Sequence, residues 1–246
     1  MANCRFYTPL PLALKASVVL SESATAHATR ALRLNVGDAI TLFNGDGLDY
    51  CGILSEVKKN QVVAYINSVI ENHTESPLNI TLLQGISSGE RMDFTIQKAV
   101  ELGVSAIQPI LTERSVVKLS VDRAQKRVEH WQHIVHAACE QSGRAFVPPV
   151  THPCTLTQWV ANTANRHTSS TRILLNPMGA KRLPEMAKPS KNIVLLIGAE
   201  GGLSPKEIEF AIAHDFQSTL LGKRILRTET AALTAIAAMQ TLWGDF

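Results

Sequence analysis

Three short segments hold residues that could do chemistry: Leu174-Leu-Asn-Pro177, Leu196-Ile-Gly-Ala-Glu-Gly-Gly202 and Leu220-Leu-Gly-Lys-Arg-Ile-Leu-Arg-Thr-Glu-Thr-Ala231. Glycine lets a main chain approach a ligand with no Cβ in the way. The second segment matches neither the G-x-G-x-x-G of a dinucleotide fold nor the G-K-[S/T] of a phosphate loop. It also places Glu200 where a carboxylate would repel phosphate, so a ligand that is uncharged or cationic there fits better. A sulfonium cofactor such as S-adenosylmethionine meets that requirement, whereas ATP and NAD meet it poorly. A Gly-Gly pair alone is better explained as a turn from a strand into a helix. The third segment is harder to dismiss. Arg224, Arg227 and Glu229 lie between an apolar strand and an apolar helix, where charges need each other or a ligand.

Two other constellations lead nowhere. His130, His133 and His136 recur every three residues, a step that drifts around a helix, and no H-E-x-x-H completes a metal site. They read as flanks of a core-facing stripe, and no metal is expected. Cys4, Cys51, Cys139 and Cys154 contain no C-x-x-C pair, so they read as reduced thiols.

The elements that must position the three segments follow from hydrophobic period. The polar stretch Glu71–Pro77 separates two patterns and reads as a linker. Before it, Ala39–Phe43 and Tyr50–Leu54 flank the turn-forming Asn44-Gly-Asp-Gly47, and Gln61–Ile70 is a further strand. Ser21–Leu34 reads as one helix with a Ser cap. After Pro77, strands alternate with helices. Strands are expected at Asn79–Gln84, Ser105–Leu111, Arg172–Asn176, Ile193–Gly198 and Ser218–Leu221. One helical face holds Met92, Ile96, Ala99 and Val100; another holds Val121, Ala124, Val128, Trp131, Val135 and Ala138. Ser204-Pro-Lys-Glu207 is a capping box with proline at the first helical position, and a final alanine-rich helix covers about Thr228–Trp243. This alternation implies an α/β sheet, mostly parallel and covered on both faces, with ligands outside the carboxyl ends of its strands. The expected domains are a small β-barrel over residues 1–72 and an α/β domain over 77–246.

Composition narrows the class. The 246 residues are 45% hydrophobic and 18% charged, as expected of a globular protein. No apolar run reaches membrane-helix length and the start lacks a signal-peptide pattern, so a cytoplasmic protein with no membrane partner is expected. The net charge of +3 divides as −1 over residues 1–75, +1 over 76–165 and +3 over 166–246. No third is basic enough to announce nucleic acid by itself.

Ile197–Ser204 and Leu221–Ala231 together resemble the ribosomal RNA small subunit methyltransferase E family, SPOUT-class enzymes that methylate N3 of a uridine in 16S rRNA. Further co-linear matches are Arg5-Phe-Tyr, His27–Leu34 with Gly37-Asp38, Arg91-Met-Asp-Phe, Lys98–Gly103, Glu113-Arg-Ser115 and Glu140–Arg144. Ala199 departs from the pattern, which usually has proline there. The resemblance implies an N-terminal PUA-like β-barrel, a C-terminal SPOUT-type parallel sheet with a trefoil knot, and a homodimer acting on 16S rRNA or the small ribosomal subunit. It also implies an S-adenosylmethionine site built from Leu175, Asn176 and Pro177; from Ile197, Gly198, Glu200, Gly201 and Gly202; and from Leu221, Gly222, Ile225, Leu226 and Thr228.

Uracil N3 carries a proton at neutral pH, so its methylation needs a base or groups that stabilise the uracil anion. Glu200 and Glu229 are the candidate bases and Arg227 the candidate anion stabiliser; an ion pair that merely holds the loop is the alternative. Arg5, Arg30 and Arg33 are the candidate RNA contacts, the last two expected on one helical face. Competing readings are a SPOUT enzyme for another position, such as a ribose 2′-hydroxyl of tRNA, and a non-catalytic RNA-binding protein.

Overall fold

A computed structural model describes residues 4–117, 120–163, 170–179 and 181–246. The chain divides into two compact units. The first comprises Met1–Glu75 and His136–Val147, the second Ser76–Val135 and Pro148–Phe246.

The first unit is built on strands β1 (Arg5–Tyr7), β2 (Ser17–Val19), β3 (Ala39–Phe43), β4 (Leu48–Lys58) and β5 (Gln61–Glu71), in the order β1-β3-β4-β5-β2. All pairings are antiparallel except β1 with β3. The expected hairpin is present, and Asp46 shapes its turn by accepting from the Leu48 N–H at 2.9 Å. Phe6, Leu42, Leu54, Val62 and Ile66 form the core. Ser21 caps α1 (Glu22–Ala26) as expected, but the helix does not run to Leu34. It widens into a single π-helical turn, His27–Ala31, and Arg33 then takes a left-handed φ of +55°.

The unit also takes in His136–Val147, which the boundary expected near residue 72 leaves out. Buried pairing supplies the reason. The Arg144 guanidinium, 3% exposed, meets the Glu75 carboxylate at 2.9 Å and 2.5 Å, and Glu140 accepts the Tyr7 N–H at 2.9 Å.

In the second unit, β6 (Asn79–Gly85), β7 (Ala106–Leu111), β8 (Cys154–Thr155), β9 (Thr171–Leu175), β10 (Lys181–Arg182), β11 (Asn192–Ile197) and β12 (Phe216–Leu220) form one sheet. Its order is β10-β12-β9-β11-β6-β7-β8 and every pair is parallel. The helices are α2 (Glu90–Glu101), α3 (Val121–Ser142, of which the part from His136 belongs to the first unit), α4 (Leu156–Thr163), α5 (Pro205–Ala213) and α6 (Thr228–Trp243). Val194 and Leu196 of β11 pack with Trp159 of α4 and Ala211 of α5, while the alternate residues Ile193 and Leu195 are buried on the opposite face. Burial of both faces explains why these strands read as continuous apolar runs. The two expected helical faces are buried in α2 and α3, apart from half-buried Val128; the Val121 side chain lies outside the described set. The capping box at α5 closes in both directions, Glu207 N–H to Ser204 Oγ at 3.2 Å and Ser204 N–H to Glu207 Oε2 at 2.8 Å.

Candidate active site

The carboxyl ends of β9, β11 and β12, together with Arg91 and Arg114 from the segments that follow β6 and β7, line one cavity of about 550 Å³ in the second unit. All thirteen residues that the resemblance assigns to a cofactor line it, as do Arg227 and Glu229. The three segments thus meet because their strands are parallel and point the same way.

The glycines of the second segment serve the protein's own backbone. A Cβ on Gly198 would lie 2.7 Å from the Gly202 carbonyl carbon, and one on Gly201 would lie 2.8 Å from the Arg114 carbonyl oxygen. Substitution there collides with main chain, which cannot rotate aside. The turn closes through the Gly202 N–H, which donates to the Ala199 oxygen at 2.8 Å, so alanine in place of the usual proline leaves it intact.

A buried hydrogen-bond relay pins the start of α6 to this turn. The Thr228 hydroxyl donates to the Gly198 oxygen at 2.6 Å and therefore accepts from Gln84 Nε2 at 2.8 Å. Gln84 Nε2 also donates to the Gly85 oxygen at 3.0 Å, which fixes the orientation of the amide. Thr228 is flanked in the chain by Arg227 and Glu229, so the relay sets where both of them begin.

Glu200 behaves differently from the base it was expected to be. Its Oε1 accepts from the Ser88 N–H at 2.8 Å, the Ser88 hydroxyl at 2.9 Å and Arg91 at 3.3 Å. Burial alone would raise its pKa, but these hydrogen bonds, with one from its own backbone, outweigh burial and hold it below the ordinary 4.5. A general base at neutral pH needs the opposite shift. Glu200 is a clasp between the turn and the residues that precede α2. Its Oε2 and the Oε2 of Glu229 are both buried without a hydrogen-bond partner, although both residues line the cavity.

The expected RNA contacts are corrected in part. Arg5 is 5% exposed, pairs in bidentate fashion with Asp49 at 2.8 Å and 2.9 Å, and lies over the Phe43 ring. Its two terminal amino groups are spent inside the first unit and its Nε is buried, so it cannot reach a phosphate. Arg30 and Arg33 are exposed, but the π-turn and the left-handed Arg33 remove the shared helical face. Two cavity residues had no role in the sequence reading: Arg91, in the first turn of α2, and Arg114, after β7. Their signal was position, since each stands just beyond the carboxyl end of a parallel strand.

The histidines part company. His130 Nε2 lies 2.8 Å from Asp93 Oδ2, whose other oxygen accepts from Trp131 at 3.2 Å, whereas His136 stacks on Tyr7 with ring centroids 3.9 Å apart. Among the described residues, no group of three or more His, Cys, Asp or Glu is placed to hold a metal, and no helix is long and apolar enough to cross a membrane.

Comparison with known proteins agrees over nearly the full length. A family model described as RNA methyltransferase domain matches residues 74–240, and one described as RNA methyltransferase PUA domain matches residues 20–66. A ribosomal RNA small subunit methyltransferase E of Buchnera aphidicola is 32% identical over 98% of this chain and 94% of its own. The crystal structure of a ribosomal RNA small subunit methyltransferase E from Neisseria gonorrhoeae, bound to S-adenosyl methionine, superposes with a TM-score of 0.91 at 45% identity, covering 99% of both chains. A Legionella pneumophila structure in complex with the same cofactor gives a TM-score of 0.94 at 38% identity over 100% of both chains.

Proposed function

The chain belongs to the ribosomal RNA small subunit methyltransferase E family, and from that membership we propose that it uses S-adenosylmethionine to methylate N3 of a uridine in 16S rRNA. The observation that carries this reading is the convergence of all three loops on one cavity that the acidic residues Glu200 and Glu229 also line.

The cavity fits the cofactor. Its volume of about 550 Å³ lies within the range of small-molecule sites. Leu175, Ile197, Leu221 and Leu226 offer apolar surface to an adenine ring, and the Glu200 carboxylate suits the positive sulfonium and amino groups. When bound, S-adenosylmethionine supplies an electrophilic methyl group.

The remaining tasks fall to the chain. Glu229, which lines the cavity, takes the N3 proton on its carboxylate, and Arg227, an exposed residue of the same lining, stabilises the negative charge that spreads to O2 and O4. Glu200 is held ionised by Ser88 and Arg91 and fixes the turn that positions the reactants. Residues 1–72 serve as the PUA-like RNA-binding domain and 77–246 as the catalytic domain. The protein acts in the cytoplasm as a homodimer whose cofactor sites adjoin the interface, with the last loops and α6 forming the trefoil knot. The alanine-rich α6 and the exposed Leu242 and Phe246 near its end support dimerisation through that helix.

Nucleoside mass spectrometry tests the reaction. 16S rRNA from a strain lacking this gene, incubated with the protein and S-adenosylmethionine, should gain 3-methyluridine. A different methylated nucleoside would overturn the position, and no methylation of rRNA or assembled subunits would overturn the activity. Glu229→Gln should abolish the gain while leaving cofactor binding intact.

A further inference from the structure

Four arginines line the cavity: Arg91 in the first turn of α2, Arg114 after β7, and Arg224 and Arg227 after β12. Against them stand two carboxylates, Glu200 and Glu229, so the formal charge of the lining is +2. Among the described residues, Arg91 alone of the four has an ion pair, to Glu200 at 3.3 Å, and its side chain remains 43% exposed. Arg114 makes a single long contact, to the Gly201 oxygen at 3.4 Å, and Arg114 and Arg224 are both exposed.

A sulfonium ligand does not call for this surplus of cations. The cofactor's single carboxylate accounts for one guanidinium at most, and Arg227 already has a place opposite the uracil oxygens. What remains is a set of exposed planar forks, drawn from three separate strand ends, around the mouth of the site. Phosphodiesters are the ligand class that such forks recognise in pairs.

We propose that Arg91, Arg114 and Arg224 form a phosphate clamp that grips the RNA backbone on either side of the target nucleotide. The inference rests on the methyltransferase reading and locates part of its RNA recognition in the catalytic unit. A base can be methylated at N3 only when its pairing edge is free, so the bound strand is locally single-stranded or the base is flipped out of the stack. Cations that hold the flanking phosphates at the mouth offset the cost of that extrusion. Arg91 contributes twice, since its contact with Glu200 ties the clamp to the cofactor turn.

The test is equilibrium binding of purified 16S rRNA to the full chain at several salt concentrations, for the wild type and for Arg114→Ala, Arg224→Ala and Arg123→Ala. Arg123 is an exposed arginine of α3 that does not belong to the cavity lining and serves as the control for bulk charge. For a contact to single-stranded backbone, each clamp variant should bind about tenfold more weakly and flatten the slope of log K against log salt by about 0.7. Arg123→Ala should match the wild type. Calorimetric binding of S-adenosylmethionine checks that each variant is folded. Unchanged RNA affinity and slope in both clamp variants would overturn the clamp, as would an equal loss in Arg123→Ala. Neither outcome touches the methyltransferase reading, which fails separately if the wild type itself methylates nothing.

Discussion

Thr228→Val is the sharpest probe of how this site is held together. The substitution keeps the shape of the side chain and removes only the hydroxyl, which donates to the Gly198 oxygen at 2.6 Å and accepts from Gln84 Nε2 at 2.8 Å. Gln84 is 0% exposed and Thr228 7% exposed, so water does not readily replace what is lost. Two hydrogen bonds at about 1 kcal/mol each, plus the cost of stranding a buried carbonyl and an amide hydrogen, give about 2–4 kcal/mol. For a unit of this size that is a fall in Tm of about 5–15 °C. The functional loss is separate. Arg227 and Glu229 flank the pinned residue, and small misplacements of reacting groups cost about 10–100-fold in rate. Thr228→Ser restores the hydroxyl at the cost of one methyl, about 0.8 kcal/mol, and should recover most of both. Thermal unfolding and single-turnover methylation of the two variants, with Gln84→Leu and the Gln84→Leu/Thr228→Val double, complete the cycle. A coupling of about 0.5–3 kcal/mol is expected between the two sites. If valine proves as stable and as fast as serine, the relay does not position the site.

Three further outcomes follow from the geometry. Arg5→Ala leaves Asp49 buried and unpaired, so it should cost about 3–5 kcal/mol in denaturant unfolding, whereas exposed Arg30→Ala should change stability by less than about 0.5 kcal/mol; an Arg5→Ala protein of normal stability with weakened RNA binding would restore Arg5 as a docking residue. Glu200 has a folded pKa below its ordinary 4.5, so its contribution is fully present above that value and is lost as pH falls through the folded one. Urea titrations of the wild type and Glu200→Gln should therefore differ at about pH 6 and draw together as the pH falls below 4.5, and a gap that widens in acid would show the sign to be wrong. The Cys139 thiol is buried and its pKa is pushed up to about 12, chiefly by burial, so it should resist alkylation in the native protein and react after unfolding; peptide mass spectrometry showing native modification of Cys139 would contradict that environment.

What could be read in advance was whatever is encoded locally. The α5 capping box spans four residues and carries its own partners, and the strands of the parallel sheet announced themselves through length and apolar content. The two-residue strands Cys154–Thr155 and Lys181–Arg182 carry too little pattern to be seen, because their pairing is imposed by β7 and β12. The helix expected over Ser21–Leu34 failed at its end. Its composition permits helix throughout, yet the backbone widens at His27 and reverses at Arg33. Arg5 shows the same limit for a site. Its residue type spoke for phosphate, but Asp49 stands 44 residues away and nothing near Arg5 in the chain reports it. Arg91 and Arg114 reach the cavity from strand ends far from the glycine loops, and parallel topology alone gathers them.

Charge bears on the reaction through placement. The cations of the first unit that lie deepest, Arg5 and Arg144, are consumed by Asp49 and Glu75, and the same unit carries a net −1 over residues 1–75. Such internal pairs hold a fold and project almost no field, because each guanidinium is matched within hydrogen-bond distance. The second unit keeps four of its arginines at the cavity, one loosely paired and three with no ion pair among the described residues. A low-dielectric cleft lined by one excess sign focuses its field on what enters it. The near-neutral chain therefore presents its usable positive charge where an RNA strand must come to be methylated. Raising the salt concentration should weaken RNA binding while hardly altering affinity for the small cofactor, which carries few charges of its own. Equal salt sensitivity for both ligands, measured by the same calorimetric titration, would mean that the positive charge serves the cofactor and that RNA is held elsewhere.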